Sequence, residues 1–398
     1  ERITGLNTSV NNSSTRGAGV DIARIKLFHF NADSKIDIYR VNGWGNTQRD
    51  TIYLTQGNGS FLSKDGLLTS VSDDLNRARY DVSTLKHGDF TGDGKMDIYQ
   101  VRGWGSRAPV RDYIYSQDFQ LPLIKSIANA NGFNIDINYT PLTDNTVYTK
   151  GQGAEYPQTN IQPATYVVSD YQTSDGIGGE FHNTFQYADG RYDFSRKQFL
   201  GFAEVTETRT NEQKAIITQY SHDYRLSDMP LHTFHYVNGD QLVEQVDNTL
   251  LVNTLNGDGN YFTYISRSES KQYELNDQLY RHIVRTSEYD EYGHQVDTTL
   301  NWNDGNTQRV VSTFDNNVND WLLSQMTRQS TTATSPNKAA ITRTVAFGYD
   351  NVGRLTSETV EPNHSSLRLL NSFTLDEFGN RTRVTISGGN LTTRSQYI

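Results

Sequence analysis

YDEYGHQVDTTL (Tyr289–Leu300), YDNVGRLTSETV (Tyr349–Val360) and LDEFGNRTRVTI (Leu375–Ile386) share one pattern. Each has an aromatic or apolar residue, Asp, two variable residues, Gly, a polar residue and then a strand-like run. The pattern reads as strand, tight turn, strand. Gly293, Gly353 and Gly379 supply positive φ at the turn. Asp290, Asp350 and Asp376 accept hydrogen bonds from the turn backbone. A hairpin of this kind cannot bury its apolar face alone, so repeated copies must stack on one another. Three unrelated hairpins with common turn chemistry are the alternative, but the likeness extends beyond the glycine.

Composition points the same way. The 398 residues include 24 Tyr and 17 Phe but only 8 Pro, which favours strands. No window carries a long apolar period of 3.6 residues. The expected fold class is all-β, with two or three domains on length alone. No apolar run reaches membrane-span length. A net charge of −10 argues against a general nucleic-acid binder. Without cysteine the chain has no disulfide and no cysteine-based metal or nucleophile site. The first residue is Glu1 rather than Met and no signal peptide follows, so the sequence reads as a fragment.

A second repeat lies near the start. FNADSKIDIYRVNGWG (Phe30–Gly45) aligns without a gap with FTGDGKMDIYQVRGWG (Phe90–Gly105). DTIYLTQG follows the first copy and RDYIYSQD the second. Each unit reads as an acidic turn, a strand (Ile36–Val41, Met96–Val101), a Gly-Trp-Gly turn and another strand. Strand and turn units of this length suit a propeller blade. Beyond Leu121, Phe133, Ile135, Ile137 and Tyr139 alternate with polar residues as a half-buried strand. Asn131-Gly132 supplies the preceding turn.

The strongest ligand pattern is DFTGDGKMD (Asp89–Asp97). Asp89, Thr91, Asp93, the Lys95 carbonyl and Asp97 offer oxygen at alternate positions, as a wrapped calcium ion requires. The matching first loop offers His29, Asn31, Asp33, the Lys35 carbonyl and Asp37. It has exchanged one carboxylate for His29 and has lost both glycines. For each loop the alternative is a turn closed by its own side chains, with no ion. Trp44 and Trp104 either stack on a ligand or partner, or serve as packing pegs. NGDGN (Asn256–Asn260) reads as a hairpin turn. His232 and His235, three apart in a strand, point to opposite faces. No catalytic motif is present, and every histidine reads as a surface or packing residue. The expectation is a protein with no catalytic residues.

These residues carry three resemblances. The Tyr-Asp pattern, fullest at Tyr349, Asp350, Gly353, Arg354, Leu355 and Thr356, resembles the YD-repeat (Rhs) family of β-sheet strips. The acidic turns resemble FG-GAP/VCBS repeats of β-propellers, over roughly Asp21–Asp118. TPLTDNTVYTKG (Thr140–Gly151), YVVSDYQTSDGIGGEF (Tyr166–Phe181), RKQFLGFAEVTET (Arg196–Thr208), YFTYISRSESKQYEL (Tyr261–Leu275) and DNNVNDWLLSQMTRQS (Asp315–Ser330) resemble the middle of the B component of insecticidal toxin complexes. In that family such sheets wind into a hollow cocoon around a toxic C-terminal segment.

The resemblance implies blades over 1–118, a middle β-domain over 119–285 and the start of a YD strip over 286–398. It implies a secreted or cell-surface bacterial protein, a shell or carrier segment. Its partners would be a C-terminal toxin cargo and, through the propeller-like region, a translocating pore component. The sequence departs from the family by lacking the N-terminal domain and the C-terminal core with its Asp-Pro autocleavage motif and variable toxin. A calcium-dependent adhesion module and a glycan-acting propeller enzyme are the alternatives.

Overall fold

The computed structural model describes residues 24–28, 30, 35–41, 49–67, 85–101, 111–116, 123–130, 132–255, 260–389 and 391–397. The described residues are all-β, with only two single-turn 3-10 helices, Thr210–Glu212 and Tyr224–Leu226. No described helix is long and apolar enough to cross a membrane. The chain divides into two compact units, Glu1–Thr149 with Gln162–His182, and Lys150–Ile161 with Asn183–Ile398.

The first unit opens with an antiparallel meander of β1 (Ile25–Phe28), β2 (Asp37–Arg40), β3 (Thr51–Thr55) and β4 (Phe61–Asp65). A second small sheet holds β5 (Leu85–Gly88), β6 (Asp97–Gln100) and β7 (Tyr113–Tyr115). Period-2 alternation turns Asp37 and Tyr39 of β2, and Ile52 and Leu54 of β3, to one buried face. There they join Phe30, Val41, Leu85 and Ile98 in one core, so both sheets share it. Neither small sheet closes on itself among the described residues. β8 (Ser126–Ala128) and β9 (Asn134–Pro141) form the expected hairpin, with Gly132 at φ +83°. β10 (Tyr148–Thr149) and β12 (Tyr166–Ser174) follow, and β12 pairs with β9; β11 (Gln158–Asn160), between them in sequence, belongs to the second unit.

In the second unit the ladder runs through β13 (Glu180–Asp193), β14 (Gln198–Arg209), β15 (Lys214–Tyr220), β16 (Pro230–Val237) and β17 (Gln241–Leu255). It continues through β18 (Asn260–Tyr273), β19 (Leu279–Tyr289), β20 (Gln295–Trp302), β21 (Thr307–Asn317) and β22 (Leu322–Thr334). β23 (Ile341–Tyr349), β24 (Leu355–Val360), β25 (Leu369–Leu375), β26 (Arg381–Gly388) and β27 (Leu391–Tyr397) complete it. Each strand pairs antiparallel with its neighbours in sequence. The ladder crosses residue 285 inside β19, without a break.

Large buried hydrophobics are scarce here. Among the described residues of this unit only Leu200 is buried in that class, whereas Asn183, Asp193, Ser287, Thr298, Ser312 and Thr344 are buried polar ones. Cohesion therefore comes from the ladder and from cross-strand pairs, such as Ser287 opposite Thr298, rather than from an oily centre.

Candidate functional site

In the second acidic loop the carboxylates close the turn themselves. Asp89 Oδ1 accepts the N–H groups of Gly92 (2.6 Å) and Asp93 (3.0 Å), and its Oδ2 accepts that of Gly94 (2.9 Å). Asp93 Oδ1 accepts the Lys95 N–H at 3.0 Å, and its Oδ2 lies 3.5 Å from Lys95 Nζ. Asp97 is fully buried, and its Oδ2 accepts the Phe90 and Thr91 N–H groups at 2.9 and 2.8 Å. Its Oδ1 has no hydrogen-bond partner among the described residues. Burying a carboxylate is costly without donors, so two backbone N–H groups are the minimum this aspartate needs. The loop packs on its own unit: the Thr143 hydroxyl donates to the Gly92 carbonyl, and Gly94 faces the Ala164 carbonyl.

A calcium site needs six to eight converging oxygens. Asp89 and Asp97 Oδ2 are already engaged by N–H groups, and no three acidic or histidine side chains converge as a metal cluster among the described residues.

Of the first loop, His29, Asn31 and Asp33 lie outside the described residues, as do Trp44, Trp104 and Asn256–Gly259. Lys35 and Asp37 are described. Asp37 is buried like Asp97, but both its oxygens are used, by Phe30 N–H (2.9 Å) and Thr55 N–H (2.8 Å). The repeat extends to the next strand: Tyr39 donates to Asp50 at 2.6 Å, and Tyr99 to Asp112 at 2.7 Å. Burial and the Asp50 carboxylate push the Tyr39 hydroxyl well above its usual range.

The Tyr-Asp turns of the second unit are superposable in their bonding. In each, the Asp N–H donates to the carbonyl four residues on, and the Gly N–H donates back to the Asp carbonyl. Asp Oδ1 accepts two further N–H groups: Tyr292 and His294 at Asp290, Val352 and Arg354 at Asp350, Phe378 and Asn380 at Asp376. Gly293, Gly353 and Gly379 have φ of +84°, +86° and +89°. This is a three-residue hairpin loop with a left-handed fourth position.

The polar residue after glycine has a role that the pattern alone did not reveal. It bonds the second Asp oxygen: His294 Nδ1 to Asp290 (2.9 Å), Arg354 Nε to Asp350 (2.7 Å), Asn380 Nδ2 to Asp376 (3.0 Å). Burial alone would raise Asp290, but the N–H groups and ring of His294 outweigh it and hold the carboxyl below its usual range. For Asp350 the Arg354 backbone N–H leads the lowering, and for Asp376 the Asn380 side chain does.

Neighbouring hairpins interlock at these turns. A Cβ on Gly293 would meet Phe262, one on Gly353 Leu322, and one on Gly379 Arg354. Arg354 Nη1 also donates to the Asp376 carbonyl at 3.3 Å, and Tyr349 OH donates to the Met326 carbonyl at 3.0 Å. The same backbone turn recurs at 274–278 and 302–306, without the Tyr-Asp signature.

His232 and His235 each face the acid opposite them on β17. His232 Nδ1 is 2.7 Å from Asp247, and His235 Nε2 is 4.0 Å from Glu244. His294 joins Asp290 to the Ser324 hydroxyl, with Nε2 2.8 Å from Oγ. A cleft of about 490 Å³ is lined by Arg209, Lys214, His235, Glu244, Gln272 and Tyr280, among others. Its lining contains one carboxylate, whereas glycoside hydrolysis by the common route uses two.

Comparisons with known proteins agree with this architecture. Residues 73–228 match the family model for the insecticide toxin TcdB middle/N-terminal region. No curated protein matches by sequence. The fold is similar to that in the Photorhabdus luminescens Tc holotoxin pore, with a TM-score of 0.63 and 11% identity. That match covers 85% of this chain and 22% of the other. It is also similar to TcdB2-TccC3-TEV, with a TM-score of 0.65, 11% identity, and coverage of 93% of this chain and 25% of the other. TcdB2-TccC3 without its hypervariable C-terminal region gives 0.62 and 12%, with coverage of 89% and 22%. The chain thus spans about a quarter or less of the length of these structures. By family match over 73–228 and by fold over most of its length, the chain resembles the B component of the insecticidal toxin complexes.

Proposed function

We propose that this chain is a shell segment of a secreted bacterial toxin of the toxin-complex or Rhs kind, enclosing or supporting delivery of a C-terminal toxic cargo. The observation that carries the reading is the unbroken antiparallel ladder from β13 to β27. Every internal strand is paired with a neighbour on each side over at least part of its length, and the ladder grows by adding hairpins. Such a sheet does not depend on one compact core, which suits a wall. The mechanism is steric: a wall holds an unfolded segment away from proteases and needs no reaction of its own residues. The Tyr-Asp turns extend the wall as a YD strip. The first unit supplies two propeller blades that dock on a translocating pore component. Support for the blades comes from the matched Asp37–Tyr39–Asp50 and Asp97–Tyr99–Asp112 networks. Support for the partners comes from the assemblies named for the similar structures, which join TcdB2 to TccC3 or form a holotoxin pore.

The test is protease protection. The natural polypeptide carrying this chain would be produced with its C-terminal segment and digested over a protease series. Survival of that segment at levels that destroy it when produced alone is expected. Equal digestion in both cases would reject the shell.

One observation favours a second reading, a calcium-dependent binding module: the buried, unpartnered Asp97 Oδ1 in the 89–97 loop. Asp93, Asp97 and loop carbonyls would hold the ion, which would supply charge and rigidity. Calorimetry with calcium decides it. No heat at millimolar calcium, or the same heat in Asp93→Ala, rejects this reading.

A further inference from the structure

We propose that Ser324 is a nucleophile activated by His294 and Asp290, able to accept an acyl group from an ester with a good leaving group. His294 Nδ1 is 2.9 Å from Asp290 Oδ2, and Nε2 is 2.8 Å from Ser324 Oγ. The imidazole ring is stacked on Phe314, with centroids 4.5 Å apart and planes at 18°. Phe314 fixes the ring plane, and Asp290 fixes its rotation. The two side chains are largely covered, at 13% exposure for His294 and 22% for Asp290, while Ser324 is exposed to a reactant.

The proton placement follows from the donors available. An ionised carboxylate has no proton to give, so Nδ1 must carry the hydrogen toward Asp290. With that hydrogen on Nδ1, a neutral ring keeps its lone pair on Nε2, to which the Ser324 hydroxyl donates. That is the arrangement of an activated serine: base against hydroxyl, and base oriented by an acid.

The turn explains two members of this set but not the third. Arg354 and Asn380 occupy the position of His294 in the sister turns and bond the same aspartate oxygen. The Asp290–His294 pair is therefore also a turn lock. Ser324 belongs to β22, thirty residues away, and nothing in the turn requires it there. Its backbone is unusual as well, with φ of +89°, a conformation a serine rarely adopts. That conformation is held by its N–H donating to Asn316 Oδ1 at 3.1 Å. The same bond occupies an N–H that could otherwise stabilise an oxyanion, which limits the substrates to esters with good leaving groups.

The chemistry balances with water as co-reactant. Ser324 Oγ bonds to the ester carbonyl carbon while its proton passes to His294 Nε2. The alkoxide or phenoxide leaves and takes that proton. Water then attacks the acyl-serine, His294 again accepts the proton, and the carboxylic acid leaves with Oγ reprotonated. A fluorophosphonate follows the first half: the Oγ–P bond forms, the P–F bond breaks, and fluoride departs.

The experiment uses the whole chain, a fluorophosphonate probe read by peptide mass spectrometry, and p-nitrophenyl acetate hydrolysis. His294→Asn reproduces the residue found at Asn380, so the turn has a native precedent. His294→Arg, as at Arg354, is the second variant should the first unfold. An adduct on Ser324 is expected. Its rate, and the release of p-nitrophenolate, should fall by at least about ten-fold in the histidine variant, since a positioned general base contributes more than that. Ser324→Ala should abolish the adduct and lower hydrolysis equally. No adduct on Ser324, or a smaller fall in either assay with a folded variant, overturns the proposal.

Discussion

Replacing Gly353 by alanine tests how the hairpins interlock. Gly353 has φ of +86°, and an added Cβ would lie 3.0 Å from Leu322 Cδ2 and 3.2 Å from Gln325 Nε2. The left-handed backbone costs an alanine about 1–2 kcal/mol. The two contacts are side-chain ends that can yield, which adds about 1 kcal/mol. Gly239 is the control: its φ is +96°, but nothing lies within 4 Å of an added Cβ. There only the backbone cost of about 1–2 kcal/mol remains. Because a ladder of this kind opens locally, hydrogen exchange is the assay rather than a global melt. A tenfold change in opening corresponds to about 1.4 kcal/mol. Gly353→Ala should accelerate exchange in β23 and β24 by roughly 30–150-fold, and it should also loosen the start of β22. Gly239→Ala should act by roughly 5–30-fold on β16 and β17 alone. Exchange in β22 that stays unchanged in Gly353→Ala would refute the interlocking of neighbouring turns.

Two further outcomes follow from the first unit. His87 stacks on Phe28 at 4.9 Å, and its Nε2 has no hydrogen-bond partner among the described residues; burial, then Lys26 and Lys86, push the imidazole down to about 4. The unfolded chain, titrating near the ordinary imidazole value of 6.5, therefore takes up this proton first. Stability from this site is present above 6.5 and is lost as the pH falls toward 4. With allowance for solvent screening of a partly exposed ring, the loss is about 2 kcal/mol. Between pH 6.5 and 4 the urea midpoint of the wild type should fall relative to that of His87→Phe, which has no proton to take up; parallel curves would reject the assignment. At the acidic loop, Gly94→Ala places a Cβ 2.5 Å from the Ala164 carbonyl oxygen at φ +76°, whereas Gly92→Ala meets only Thr143 at 3.5 Å. Gly94→Ala should cost about 3 kcal/mol and Gly92→Ala about 1–2 kcal/mol, and equal thermal shifts would reject that packing.

Local chemistry was legible wherever one residue type has one job. Glycine at positive φ after an aspartate marked 290–294, 350–354 and 376–380, because few other residues serve there. The same turn at 274–278 places Asp277 at φ +65° instead of glycine, and at 302–306 it opens on Trp302, so neither carries the signature. The alternation of Ile135, Ile137 and Tyr139 placed β9, but the long ladder over β13–β19 has half-buried faces with little contrast to read. Long-range partners were illegible for a different reason. The meeting of His294 with Ser324 depends on the register of β20, β21 and β22 and on the irregularities at Thr313/Phe314 and Asp315/Asn317. A single residue of slip would turn Ser324 away. The engagement of Asp89 by three N–H groups was equally hidden, since alternate oxygens suit both an ion and a self-closed turn.

The shell reading is tested most directly by electron cryomicroscopy of the natural polypeptide carrying this chain and its C-terminal segment. The account predicts that the β13–β27 ladder continues into a wall, with density for the C-terminal segment held against one face of it. A C-terminal segment folded in solvent, away from that sheet, would contradict it.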